Sequence, residues 1–194
     1  MKESTITLTG HEVTFGADEI IVSKTDVKGR IQYVNETFIK ISGFTEDELL
    51  GQPHSIIRHP EMPRSVFKLL WDTIASGHEI FAYVKNLCKN GDHYWVFAHV
   101  TPTFDAQGKI VGYHSNRRSP DRVQVASYSD LYSQLLREEQ KNSDWRQGMA
   151  AATALLQDII SQQGMSYEEL IFSGINGDSR APRRRAAAPE RRPQ

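Results

Sequence analysis

Scarcity characterises this 194-residue chain before any motif does. It has one cysteine, Cys88, which rules out an internal disulfide framework and a multi-cysteine metal site. No stretch approaches the roughly 18 consecutive apolar residues of a membrane-spanning helix, so no membrane span is expected. The N-terminal MKESTITLTG lacks the basic cluster and apolar run of a secretory leader. A reducing cytoplasm is therefore the expected compartment. Signatures of catalysis are missing too. There is no glycine-rich phosphate loop, no GxSxG elbow and no paired-carboxylate motif, so an enzyme is not expected. The seven histidines include no pair at metal-ligand spacing with a carboxylate or cysteine, which argues against a zinc site.

An excess of one charge is also absent overall, with a net of −1, but that figure conceals a division. Residues 175–194 hold six arginines against Asp178 and Glu190, a net of +4, which leaves −5 for residues 1–174. A mildly acidic body argues against nucleic-acid binding by the folded core. The tail is rich in Pro, Ala and Arg and poor in large apolar residues, so it is expected to be disordered. Either it is a solvated end or it makes electrostatic contact with an acidic partner, a membrane or nucleic acid.

What is present reads as alternating strands and short helices. Residues 20–27 and 31–35 are expected strands joined by a Lys28-Gly29 turn. ETFIKIS at 36–42 is a short helix stopped by Gly43, and Thr45 with Glu48 has the capping-box pattern for the next helix. QPHSIIRHPEMP is proline-rich and irregular. A helix follows over 64–76, with Val66, Leu69, Leu70 and Ile74 at helical spacing. Strands at 79–89 and 92–104 flank Asn90-Gly91, and a third strand, KIVGYHSNRR, follows a turn over residues 105–108. The class is α+β: a five-stranded antiparallel sheet with short helices on one face, followed by C-terminal helices. The expected organisation is an N-terminal cap over 1–17, a core over 18–120, a helical extension over 121–174 split near Asn142-Ser143, and the basic tail over 175–194.

Both faces of the long hairpin are apolar, so each needs cover. Phe81, Tyr83, Trp95 and Phe97 share the face opposite the short helices. They form an expected interaction face, covered by the C-terminal helices, the N-terminal segment or a second copy of the chain. On the opposite face, Ala82 and Ala98 leave room, and Asn86 points a polar amide at the core. That amide bonds either to backbone or to a ligand.

The element order and the motifs DVKGRIQYVNETFIKISGFTEDELLGQ and KNGDHYWV resemble a PAS domain over roughly residues 18–118. More narrowly, YVNETF, GQPHSIIRHPEMP and KNGDHYWV resemble the sensor domain of bacterial aerotaxis receptors. The resemblance implies non-covalent FAD and a report of redox state or oxygen to a partner. Asn35 then matches an asparagine that affects flavin binding. Arg58 and His59 match the basic pair of an RHPxMP segment, with Glu61 in place of its usual Asp. Phe67 and Trp71 fall on the helix packed over the cofactor, and Asn86 matches the asparagine at the edge of the flavin ring. One departure stands out. The Pro-Trp-Ser-Gly run of aerotaxis receptors is here Glu79-Ile80-Phe81-Ala82, so Ile80 replaces the tryptophan.

Chemistry gives these residues a rationale. Arg58 or His59 would stabilise a reduced flavin anion or hold a pyrophosphate. An amide at Asn86 both donates and accepts, so it can follow a protonation change. Two alternatives stand beside FAD: a haem-binding gas sensor, and a cofactor-free PAS dimerisation module. His114 is a candidate flavin neighbour, haem ligand or plain strand residue. No histidine-kinase, methyl-accepting or DNA-binding part is read in the sequence, so the expectation is either a separate chemoreceptor or histidine kinase as output partner or a piece of a longer protein. A homodimer is expected from the apolar outer face.

Overall fold

The computed structural model describes residues 6–173, so the tail expected over 175–194 lies outside the described residues. The strands are β1 (Ile21–Thr25), β2 (Ile31–Val34), β3 (Ile80–Leu87), β4 (His93–Phe104) and β5 (Ile110–Arg118). The helices are α1 (Glu36–Ser42), α2 (Glu46–Leu49), α3 (Arg64–Ala75), α4 (Arg122–Gln140), α5 (Trp145–Gln162) and α6 (Tyr167–Ser173), with a 3₁₀ turn at His54–Ile57. Strand β1 stops at Thr25 because the Asp26 carboxylate accepts from the amides of Lys28 and Arg30, both at 2.8 Å, and folds the chain into its turn. Gly29 takes the left-handed position, φ +75°. Asn35 caps α1, Gly43 closes it in the left-handed region, and Thr45 with Glu48 forms the expected capping box on α2.

The sheet is antiparallel throughout, in the order β2-β1-β5-β4-β3. Pairing of the long hairpin begins at Leu87 and His93 rather than at Asn90-Gly91 itself. Other strands of chain claim that loop: the Lys89 amide donates to Ser42 O and the Thr9 amide to Gly91 O. The N-terminal segment continues along β4, with Val13 N donating to His93 O, and Glu12 makes a two-pronged ion pair with Arg122 at 2.6 and 2.8 Å. Among the described residues no helix is long and apolar enough to cross a membrane.

Alternation along the strands sends successive side chains to opposite faces. The inner face meets α1, α2, the 3₁₀ turn and α3 around a core of Ile21, Phe38, Leu49, Ile57 and Met62. The outer face is covered from within the chain by α4 and α6. Tyr128 stacks on Tyr83 with ring centroids 4.3 Å apart, and Tyr132 lies over Trp95 at 6.1 Å. Phe172 meets Phe81 edge-on at 4.8 Å. Three tyrosine hydroxyls bond to backbone carbonyls: Tyr132 to Tyr83 at 2.7 Å, Tyr167 to Phe81 at 3.0 Å and Tyr128 to Leu170 at 3.2 Å. The C-terminal helices therefore fold back onto the sheet.

Helix α5 turns back beside α4 and reaches the start of α3. The close crossing depends on Gly148, where an added Cβ would lie 2.2 Å from the Glu139 carbonyl oxygen. The buried Glu139 side chain accepts from the Ser65 amide at 2.8 Å, and so supplies the N-terminal cap that Pro63 cannot.

Candidate ligand cavity

Between the inner face of the sheet and α3 lies a cavity of about 330 Å³. Its floor comes from strand residues of one parity: Ser23 and Thr25 of β1, Val84 and Asn86 of β3, Ala98 and Val100 of β4, and Tyr113, Ser115 and Arg117 of β5. Its roof is the α3 stripe Arg64, Phe67, Lys68 and Trp71, spaced i, i+3, i+4, i+7 as one helical face requires. His54, Ile57 and Arg58 of the proline-rich segment close one side, and Trp145 and Met149 of α5 another. Ala98 is the small side chain that opens space on the floor. The volume falls in the range of small-molecule sites, roughly 300–1,000 Å³.

The floor carries a charge with no counter-ion. Arg117 is 4% exposed, and among the described residues no carboxylate pairs with it. Its Nη2 donates to Ser23 Oγ at 2.7 Å and to His54 Nε2 at 2.6 Å, and its guanidinium lies 5.4 Å from the Phe38 ring centroid. Burial pulls the Arg117 pKa down to about 10. Because an arginine only donates, His54 accepts through Nε2 and carries its proton on Nδ1. Burial first, and the Arg117 charge second, push the His54 pKa down to about 3, so the ring is neutral. An unpaired buried cation costs several kcal/mol, which makes Arg117 a candidate ligand-binding group.

Around Arg117 several polar atoms lack partners. Arg117 Nη1, Asn86 Nδ2, Ser115 Oγ and Thr25 Oγ1 are buried and, among the described residues, make no hydrogen bond. Buried polar groups are normally satisfied, so these four fit a ligand that brings its own acceptors. The chemistry of the set is that of a ligand with carbonyl or anionic acceptors.

Of the residues singled out from the sequence, Arg58, Phe67, Trp71 and Asn86 meet at the cavity. Arg58 donates to Met62 O at 2.9 Å, with its guanidinium 5.0 Å from the Phe67 centroid, and Trp71 stands edge-on to Tyr113. The others stand elsewhere. Asn35 is fully occupied as a cap and clamp: its Oδ1 accepts from Val22 N and Phe38 N, and its Nδ2 donates to Ile20 O. His59 is buried against His93, its Nδ1 accepting from the Glu61 amide at 3.2 Å, and Glu61 pairs outward with Lys85. His114 is corrected by register. It pairs with Lys24 and Thr101, the parity opposite to Tyr113, Ser115 and Arg117, so it stands on the outer side of the sheet. Ile80, at the position of the family tryptophan, packs with Leu70, Ile74, Val100 and Tyr113 behind the wall. Phe81, Tyr83, Trp95 and Phe97 are occupied by α4 and α6.

Sequence reasoning missed His54, Ser23, Thr25, Ser115 and Arg117. The signal was available for β5: extending the alternation from Tyr113 puts Arg117, a cation, on an inward position. Cys88 is a bystander. Its thiol donates to Ile41 O, and burial pushes its pKa up to about 12.

Residues 31–117 match the family model described as PAS fold. The chain is 42% identical to the aerotaxis receptor of Escherichia coli (strain K12) over 118 residues, 61% of this chain and 23% of that protein. It is 30% identical to the biofilm dispersion protein BdlA of Pseudomonas aeruginosa over 87 residues, 44% of this chain and 21% of that protein. It thus spans less than a quarter of the length of these curated relatives. Among solved structures, the dark structure of the blue-light photoreceptor Aureochrome1 LOV shares 24% identity and a TM-score of 0.50, over 61% of this chain and 86% of that one. That likeness speaks for the fold alone.

Proposed function

We propose, from the premise that residues 31–117 are a PAS domain, that the cavity binds a flavin non-covalently, as FAD, and that the protein is a sensor of redox state or oxygen. The observation that carries this reading is Arg117, a buried cation without a counter-ion beside the unpartnered Nδ2 of Asn86. A bound flavin supplies reversible two-electron chemistry, with negative charge gathering on one edge of its ring upon reduction. Arg117 is the group that would hold such a charge in a low-dielectric site, in the role expected of Arg58 or His59. Asn86 would orient the ring by hydrogen bonding, while Phe67 and Trp71 cover its face.

Likeness to the aerotaxis receptor supports the same ligand class and a signalling role without catalysis. The domain division at 18–120 and 121–174 belongs to this proposal. So does an output through protein contact, as a homodimer that speaks to a separate chemoreceptor or kinase. Because α4 and α6 rest on the outer face, a change in hydrogen bonding at Asn86 has a short path through the sheet to them. Haem is not favoured. His54 is the cavity-wall histidine among the described residues, and its Nε2 is engaged by Arg117.

The test is an absorption spectrum of the purified full chain. The two oxidised-flavin bands in the near ultraviolet and blue support the reading. A Soret band, or a protein that also refuses added FAD, overturns it.

A further inference from the structure

The sheet and its short helices do not account for the whole cavity. At the start of α3 the wall is finished by Trp145 and Met149 of α5, facing Arg64 and Lys68. Trp145 is 48% exposed, a large aromatic left half open at the mouth. The Arg64 guanidinium lies 5.5 Å from its ring centroid and that of Arg146 4.6 Å. Among the described residues no carboxylate pairs with Arg64, while Lys68 is met by Asp72. Glu139, the other nearby acid, is spent on the Ser65 amide.

Position here is fixed, not incidental. Gly148 lets α5 lie against the Glu139 backbone, and Glu139 in turn caps α3 one residue after Arg64. The two elements that form the mouth are thus locked together by α4.

The cavity as a whole, with these residues of α3 and α5 in its wall, measures about 330 Å³. A ring held at Arg117 would fill its sheet side, and a phosphate-bearing tail would extend towards the end walled by α5. An opening lined by two cations and a half-exposed tryptophan offers what such a tail requires: charge-assisted donors for phosphate, and a flat face for a base.

We propose that Arg64, Lys68, Trp145 and Met149 form a second subsite, which takes the phosphates and base of a flavin nucleotide and so makes the site selective for the dinucleotide. This rests on the flavin reading of the inner cavity. It also makes the helical extension part of the ligand site, so that tail binding and docking of α5 strengthen each other.

The experiment is an equilibrium titration of the full chain with FAD, FMN and riboflavin, repeated on Arg64→Gln and Trp145→Ala. The expected affinity order for the parent is FAD, then FMN, then riboflavin. Each substitution is expected to weaken FAD by about tenfold or more, the worth of one charge-assisted or stacking contact, with riboflavin unchanged. Three outcomes overturn the subsite while leaving the inner cavity intact: equal parent affinity for FAD and riboflavin, FAD affinity untouched by both substitutions, or FAD and riboflavin falling together. A parent that binds no flavin overturns the subsite and the flavin reading together. Arg64 is exposed, so Arg64→Gln serves even if Trp145→Ala fails to fold.

Discussion

The two faces of this sheet are made by alternate residues of the same strands, yet they are finished in opposite ways. On the outer face, aromatic rings from β3 and β4 are met by rings from α4 and α6, and the hydroxyls of Tyr128, Tyr132 and Tyr167 each find a carbonyl. On the inner face, polar atoms of Thr25, Asn86, Tyr94, Ser115 and Arg117 are buried and find none among the described residues, and a guanidinium is buried without an acid. The outer face is complete within the chain and serves stability. The inner face leaves polar groups unpaired at a cost in stability, as the proposed ligand site would require.

Four perturbations sharpen that contrast. The largest effect belongs to the outer face: Trp95→Ala removes a ring that is 6% exposed and should cost about 3–5 kcal/mol in urea unfolding. A parent-like midpoint would mean that α4 does not depend on the sheet. Next comes acid. His54 is held neutral with a pKa of about 3 against an ordinary 6.5, so in the unfolded chain it takes up a proton that the fold refuses. Stability contributed by this group is full above pH 6.5 and is lost progressively as pH falls towards 3, by up to about 1.4 kcal/mol per pH unit. His59, held down to about 4 by burial, acts in the same direction. Unfolding of His54→Asn across this range should show a flatter acid limb; an unchanged slope contradicts the assignment.

A smaller effect is expected for Tyr132→Phe, which leaves the ring but removes the bond to Tyr83 O. It should cost about 1–1.5 kcal/mol, measured the same way. The smallest is on the inner face. Arg117→Met removes an unpaired buried cation, so the ligand-free protein should lose no more than about 1 kcal/mol, the worth of its bonds to Ser23 and His54. A loss comparable to that of Trp95→Ala would show that the inner face is scaffold after all.

Much of this was legible in the sequence because the signals were local. The capping box at Thr45 and Glu48, the glycine stop at Gly43 and the alternation along the hairpin fixed the elements and the faces. The departures have non-local causes. Asn35 looked like a ligand residue, but cap geometry consumes every polar atom of its amide. His114 failed on parity, which a single strand does not reveal until its neighbours set the register. Arg117 escaped notice because a charged residue at a strand end reads as solvent-exposed, and only the pairing of β5 between β1 and β4 buries it. Trp145 lies 70 residues beyond the end of α3, and nothing local says that α5 returns to it.

The central claim is that the inner face is finished by a flavin held at Arg117. Titration of the full chain and of Arg117→Met with FAD, followed by flavin fluorescence at neutral pH, tests it most directly. The account expects saturable uptake by the parent and an affinity at least about tenfold weaker in the variant, the worth of one charge-assisted contact. Equal uptake by the two proteins, each folded, would contradict it.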